Sequence, residues 1–173
     1  MRKNGGFTLI ELLIVITIIL IIAAVAIPSL IQAKISADEA SAVNTIRTLN
    51  TAQVSYQSIF PQVGYAPTIA ALGPGASTGC TTPSSANACL LDWVVAQATT
   101  AGNAKAGYYF AQSVTTSGGV NTGYTIGGAP SGFNKSGVRG FCSNEDAVIR
   151  VTPALNGPPV TAGPVCAAYP AMR

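Results

Sequence analysis

There is no histidine anywhere in the 173 residues. That absence removes several chemistries together, because a Ser-His-Asp triad, a Cys-His nucleophile and a His-containing zinc site all need an imidazole. Charge is scarce as well: 9% of residues are Asp, Glu, Lys or Arg, against a usual quarter or so. An aspartic dyad or a glycosidase pair needs two carboxyls held together. Past the N-terminal apolar run the only acids are Asp38, Glu39, Asp92, Glu145 and Asp146. Asp38-Glu39 and Glu145-Asp146 are adjacent in polar stretches, which reads as solvated surface. With so few titratable groups to perturb, the chain reads as a non-enzyme with no catalytic residue, no metal and no cofactor. A basic stripe is missing too. The net charge is +3, and without residues 1–6, which contain Arg2 and Lys3, seven basic and six acidic residues leave +1. A nucleic-acid-binding domain usually has a pI above about 9 and clustered cations. Lys105, Lys135, Arg139 and Arg150 read instead as scattered solvated charges.

What the chain does have is concentrated at its start. Residues 12–27, LLIVITIILIIAAVAI, hold fifteen apolar residues and one Thr. With Phe7 to Ile10 the span reaches about 20 residues, enough to cross a hydrocarbon core of about 30 Å as a helix, with Arg2 and Lys3 holding the near end in the cytoplasm. A secretory signal cut after Ala24-Val25-Ala26 has an apolar core of only about 7–15 residues. Neither that reading nor a plain anchor explains Glu11 inside the run, where an intramembrane carboxylate is costly and calls for a partner.

Pro28 ends or kinks a helix by removing one hydrogen bond, yet helical periodicity resumes at once. Ala42, Ile46, Leu49, Gln53, Tyr56 and Phe60 are spaced 4, 3, 4, 3, 4 and share one face, with Asn44, Arg47, Thr48, Asn50, Thr51 and Ser55 on the other. The pattern predicts one helix over 7–60, about 80 Å long and kinked near Pro28. Its first part, 7–30, is apolar all round, and its second, 31–60, is amphipathic.

Basic residues, then Gly5-Gly6, then FTLIELLIVITIIL, resemble the class III signal of type IV prepilins. The resemblance spans about 25 residues. It implies that a leader, residues 1–6, is removed by a prepilin peptidase that cuts between Gly6 and Phe7 at the cytoplasmic face and methylates the Phe7 amine. Glu11 takes the family's glutamate position and Pro28 its first kinking proline. Cleavage creates a positive amine at Phe7, and in a filament Glu11 of one copy can meet the Phe7 amine of another. Such a buried pair specifies register, since a copy docked out of place strands both charges. No second proline occurs between Ser29 and Phe60, and the leader is short, which leans toward the IVa-like group or the pseudopilins.

The head, residues 61–173, reads as a helix followed by strands. Leu90, Leu91, Val94, Val95 and Ala98 recur at helical spacing after Asn87, a candidate N-cap. Residues 107–111, 123–126, 137–142 and 147–151 read as strands bounded by Gly, Ser and Asn turns. Together these predict an α+β fold, a long helix packed on a small antiparallel sheet, in agreement with a pilin head. Trp93, Tyr108, Tyr109 and Phe110 read as core residues. Four cysteines beyond the apolar run fit an oxidising compartment and allow three connectivities. The two local pairs, Cys80–Cys89 around TTPSSANA and Cys142–Cys166 around a Pro/Gly-rich segment, are favoured. The latter loop would resemble the disulfide-bounded region of pilins.

The resemblance implies a structural subunit of a type IV pilus, serving adhesion, twitching motility, aggregation or DNA uptake. Its partners would be other copies of itself, the prepilin peptidase/methyltransferase, an assembly platform in the inner membrane, and the membrane itself before assembly; nothing in the chain points to DNA or a host surface. The chain would sit in the inner membrane with its head outside, then in an extracellular fibre. The alternatives are a type II secretion pseudopilin, whose major form ends in an acidic calcium loop, and a membrane-anchored ligand-binding domain that does not polymerise. From Thr152 to Arg173 there is no acid, which favours the pilin.

Overall fold

A computed structural model describes residues 7–80 and 82–172. The chain divides into two compact units, Met1–Lys34 and Ile35–Arg173, and helix α1 (Leu9–Ile59) contributes residues to both.

In the first unit every described side chain from Phe7 to Lys34 is exposed save the half-exposed Ala23. The α1 run holds an 18-residue window of mean hydropathy 3.2 with none of it buried. Its two hydroxyls bond back to the helix, Thr17 Oγ1 to the Ile14 carbonyl at 2.8 Å and Ser29 Oγ to the Ala26 carbonyl at 2.9 Å. Polar groups that satisfy themselves in this way are compatible with a lipid environment, which offers no partner. Pro28 lies inside α1 and has no N–H to give the Ala24 carbonyl.

The second unit contains the core. Ala42, Ile46, Leu49, Gln53 and Tyr56 of α1 are all buried and Phe60 is half-buried. They pack with Tyr108, Phe110, Tyr124, Ile126 and Phe141 of the sheet. The sheet has four antiparallel strands in sequence order: β1 (Tyr108–Ser117), β2 (Val120–Pro130), β3 (Gly140–Asn144) and β4 (Ile149–Thr152). The architecture is α+β, a long helix on an antiparallel sheet. The buried tyrosines keep their hydroxyls bonded, Tyr56 to the Ser85 carbonyl at 2.6 Å and Tyr108 to the Arg139 carbonyl at 2.7 Å. On the outer face the C-terminal segment crosses β2 so closely that a Cβ on Gly127 would lie 2.3 Å from the Val160 carbonyl oxygen. Only glycine fits there.

Several features differ from the sequence reading, among them the third strand, expected over 137–142 and found at Gly140–Asn144. The helix expected after Asn87 is confined to α2 (Trp93–Gln97), with Asp92 rather than Asn87 as its N-cap. The N–H groups of Ala88, Leu90 and Leu91 are instead drawn to the Ala71 and Leu72 carbonyls of a short 3₁₀ turn, and the stretch is an irregular loop with Cys89 at φ 62°. Strands β1 and β2 run on past the expected segments, β1 into the Ser/Thr-rich stretch to Ser117 and β2 from Val120 to Pro130. The Gly118-Gly119 turn, both residues at positive φ, suits a tight hairpin and lets them pair. Ala147, expected in a strand, has φ 57° and lies outside β4. Asn50, assigned to the polar face, is buried, with its amide donating to Ser143 Oγ at 2.9 Å and accepting from the Tyr124 hydroxyl at 3.2 Å.

Cys142 of β3 is bonded to Cys166 of helix α3 (Gly163–Ala167), with Cα atoms 5.9 Å apart and both residues fully buried. Cys80 is bonded to Cys89 in an exposed loop. Closing a 24-residue separation constrains the unfolded chain by about 3 kcal/mol. The Cys142→Ser/Cys166→Ser double variant also leaves two polar groups in the core, so it is expected to lower the unfolding midpoint by more than the Cys80→Ser/Cys89→Ser pair does. Thermal melts of the two double variants check this, and equal losses would contradict it.

Candidate functional site

Of the residues singled out by sequence, Gly6 lies outside the described residues. Phe7 is 82% exposed. Four residues on, Glu11 has a partner that the sequence reading did not name. Its Oε2 accepts from the Thr8 backbone N–H at 2.9 Å and from the Thr8 hydroxyl at 2.6 Å, while the Glu11 N–H donates weakly to Thr8 Oγ1 at 3.4 Å. With Leu9 the first helical residue, Thr8 is the N-cap and Glu11 the third position, so this is a reciprocal capping box. Ser/Thr-x-x-Glu before an apolar run is its sequence signature, and Thr8-Leu9-Ile10-Glu11 matches it. The carboxylate also complements the positive end of the helix dipole. Both bonds use one oxygen, and Oε1 accepts no hydrogen bond among the described residues. Among the described residues, the arrangement leaves one carboxylate oxygen without a hydrogen bond beside an exposed apolar helix.

A second carboxylate is placed in the other unit by tertiary structure alone. Glu39, expected on a solvated face, is 5% exposed. Its Oε1 accepts from the Val138 and Arg139 backbone N–H groups at 3.0 and 3.1 Å, and its Oε2 from Arg139 Nε at 2.7 Å, with the second guanidinium nitrogen at 2.6 Å. Burial works to raise its pKa, but the two N–H donors and the guanidinium outweigh it and hold the carboxyl below the ordinary Glu range. No local pattern announces this: Asp38-Glu39 reads as any exposed acidic pair, and the donors lie 99 and 100 residues away.

The scattered cations are partly committed. Arg139 belongs to Glu39, Arg150 pairs with Asp146, and Lys105 donates to the Thr45 hydroxyl at 3.3 Å. Asp38 is half-buried, whereas Glu145 and Asp146 are exposed as expected. Tyr108 and Phe110 are core residues, while Trp93 and Tyr109 are half-buried.

Residues 1–27 match the family model described as the prokaryotic N-terminal methylation motif. The chain is 40% identical over 72 residues to the type IV major pilin protein PilA of Myxococcus xanthus, a match covering 38% of this chain and 33% of that one. It is 39% identical over 64 residues to the type II secretion system core protein G of Vibrio cholerae, covering 35% and 44% respectively. The matches thus span between a third and under half of these relatives' lengths. No solved structure matches.

Proposed function

We propose that this type IV pilin-like chain is the structural subunit of a surface fibre, anchored in the membrane by α1 and polymerised through the same helix. The observation that carries the reading is the first unit itself: a bare apolar helix whose start combines the methylation motif with a capped carboxylate. A membrane can cover that surface in the monomer, and other copies of the helix can cover it in a fibre. In such a fibre Glu11, oriented by Thr8, offers its free oxygen to the Phe7 amine of a neighbour. The processing partner is a prepilin peptidase/methyltransferase and the assembly partner a platform in the inner membrane, with the second unit on the periplasmic or extracellular side. The role is structural rather than enzymatic.

The Vibrio cholerae relative supports a second reading, a secretion pseudopilus subunit. The pilus is preferred because the segment from Thr152 to Arg173 has no acidic residue to form a calcium loop and is tied to β3 by Cys142–Cys166. Mass spectrometry of the mature N-terminus tests the shared premise. The expected first residue is an N-methylated Phe7; a start at Ile27 would instead mark an ordinary secretory signal and end both readings.

A further inference from the structure

We infer that Asn156-Gly157 is a self-modifying site, at which the Gly157 nitrogen displaces ammonia from the Asn156 side chain and water leaves an acid in its place. Outside residues 1–6 this is the one Asn-Gly pair in the chain. The stretch from Asn156 to Pro159 belongs to no helix or strand. It runs between two fixed points, the Leu155 N–H on the Val138 carbonyl at 2.9 Å and Val160 packed against Gly127. Pro158 and Pro159 have no N–H, and the N–H of Gly157 has no backbone hydrogen bond among the described residues. Asn156 itself is exposed.

Ring closure needs the nitrogen of the following residue to reach the side-chain carbonyl carbon, Cγ. A Cβ on that residue, a hydrogen bond to its N–H, or a helix or strand around it holds the nitrogen away. Every other described asparagine is restrained in one of these ways. Asn44 and Asn50 lie inside α1. The N–H groups that follow Asn87 and Asn134 are bonded to the Ala71 and Gly132 carbonyls. Asn121 and Asn144 stand in β2 and β3 with both ends of their amides hydrogen-bonded, and Asn103 is followed by Ala104. Among the described residues only Asn156 combines an exposed amide, an unbonded N–H after it and no Cβ beyond.

The step needs no oxidant or reductant. The Gly157 nitrogen gives its proton to hydroxide and attacks Asn156 Cγ. The Cγ–Nδ2 bond breaks, and the departing nitrogen takes a proton from water and leaves as ammonia. Water then opens the cyclic succinimide at one of its two carbonyls. Opening at Cγ leaves aspartate; opening at the main-chain carbonyl leaves isoaspartate, with the chain rerouted through the side chain. The net change is one amide and one water to one carboxylate and one ammonium ion. The segment from Thr152 to Arg173 has no Asp or Glu of its own. The new carboxylate stands on the rim of a groove of about 360 Å³, lined also by Tyr109, Ser131, Phe133 and Pro158 and by no charged residue. Modification thus turns a neutral groove anionic, irreversibly. The reaction does not rest on the fibre reading.

Incubation of the full-length chain, in membranes and in heavy-oxygen water, tests it. The disulfides are then reduced and the chain is digested with trypsin in ordinary water. Cleavage after Arg150 releases residues 151–173, in which Asn156 is the one Asn or Gln; residues 140–150 carry Asn144 as an internal control. The 151–173 peptide is expected to lose its amide with uptake of one heavy oxygen and to contain isoaspartate beside aspartate. It should convert at least about tenfold faster than the Asn144 peptide, since Glu145 has the Cβ that Gly157 lacks. Gly157→Ala has open space for its Cβ and needs no positive φ. It should slow conversion at least about tenfold, because the new Cβ crowds the attacking nitrogen and narrows the backbone's range. Equal conversion at positions 156 and 144, a product without isoaspartate, or an unchanged rate in Gly157→Ala would overturn the proposal.

Discussion

Replacing Glu11 with alanine is expected to leave membrane insertion, cleavage and folding of the second unit intact, yet to cut fibre number about a hundredfold or more when the variant is the only subunit. Insertion should become easier, because the substitution removes an acid from an apolar run. All hydrogen bonds of the Glu11 side chain among the described residues go to Thr8, so no core contact is lost. Within a fibre the reverse holds, since every Phe7 amine would sit among apolar helices without a counter-ion. The capping box supplies the deciding control. Glu11→Gln keeps an oxygen that can accept from Thr8, and Gln serves in capping boxes, but it removes the charge. If the carboxylate pairs with a neighbour's amine, Gln should fail almost as badly as Ala. Normal cleavage with abundant fibres in the Glu11→Gln strain, counted by electron microscopy, would reduce Glu11 to a helix cap and end the register reading.

Glu39→Ala is expected to destabilise the second unit by about 3 kcal/mol, because it leaves two backbone N–H groups and part of a guanidinium without their acceptor. The Arg139 side chain is 45% exposed, so water compensates part of its loss and the backbone donors dominate. A loss of that size lowers the unfolding midpoint by roughly 10 °C, measurable through the near-ultraviolet signal of the buried tyrosines. The same carboxylate makes stability depend on acid. Its pKa is lower folded than unfolded, so the unfolded state takes up its proton first as pH falls. The contribution is complete above the unfolded Glu pKa of about 4.3 and is lost as pH drops through the folded value. Asp146, held low by the Arg150 guanidinium beside it, acts in the same direction from an exposed site. Wild-type midpoints should therefore fall steeply below about pH 4, and Glu39→Gln should flatten most of that fall. Melts of Glu39→Ala within about 2 °C of wild type, or an unchanged acid slope in Glu39→Gln, would show that this clamp carries no stability.

The sequence alone determined the features that depend on neighbours within a few turns. Apolar residues at a 3.6-residue period placed Ala42, Ile46, Leu49, Gln53 and Tyr56 on one face, and all five are buried. Thr8-Leu9-Ile10-Glu11 carried its capping box in plain letters, because its donors and acceptors lie three residues apart. An antiparallel sheet of three or four strands after a long helix was likewise legible, although the strand ends were not. Tertiary structure alone decided the fate of the polar groups. Glu39 and Asn50 are buried because partners 99 and 93 residues away satisfy them, and nothing near them in sequence separates them from solvated neighbours such as Asn44. The apolar Leu90-Leu91 pair likewise left the helix because the Leu72 carbonyl was available to its N–H groups. A local pattern records which side chains avoid water; it does not record which distant donor makes burying a charge or an amide tolerable.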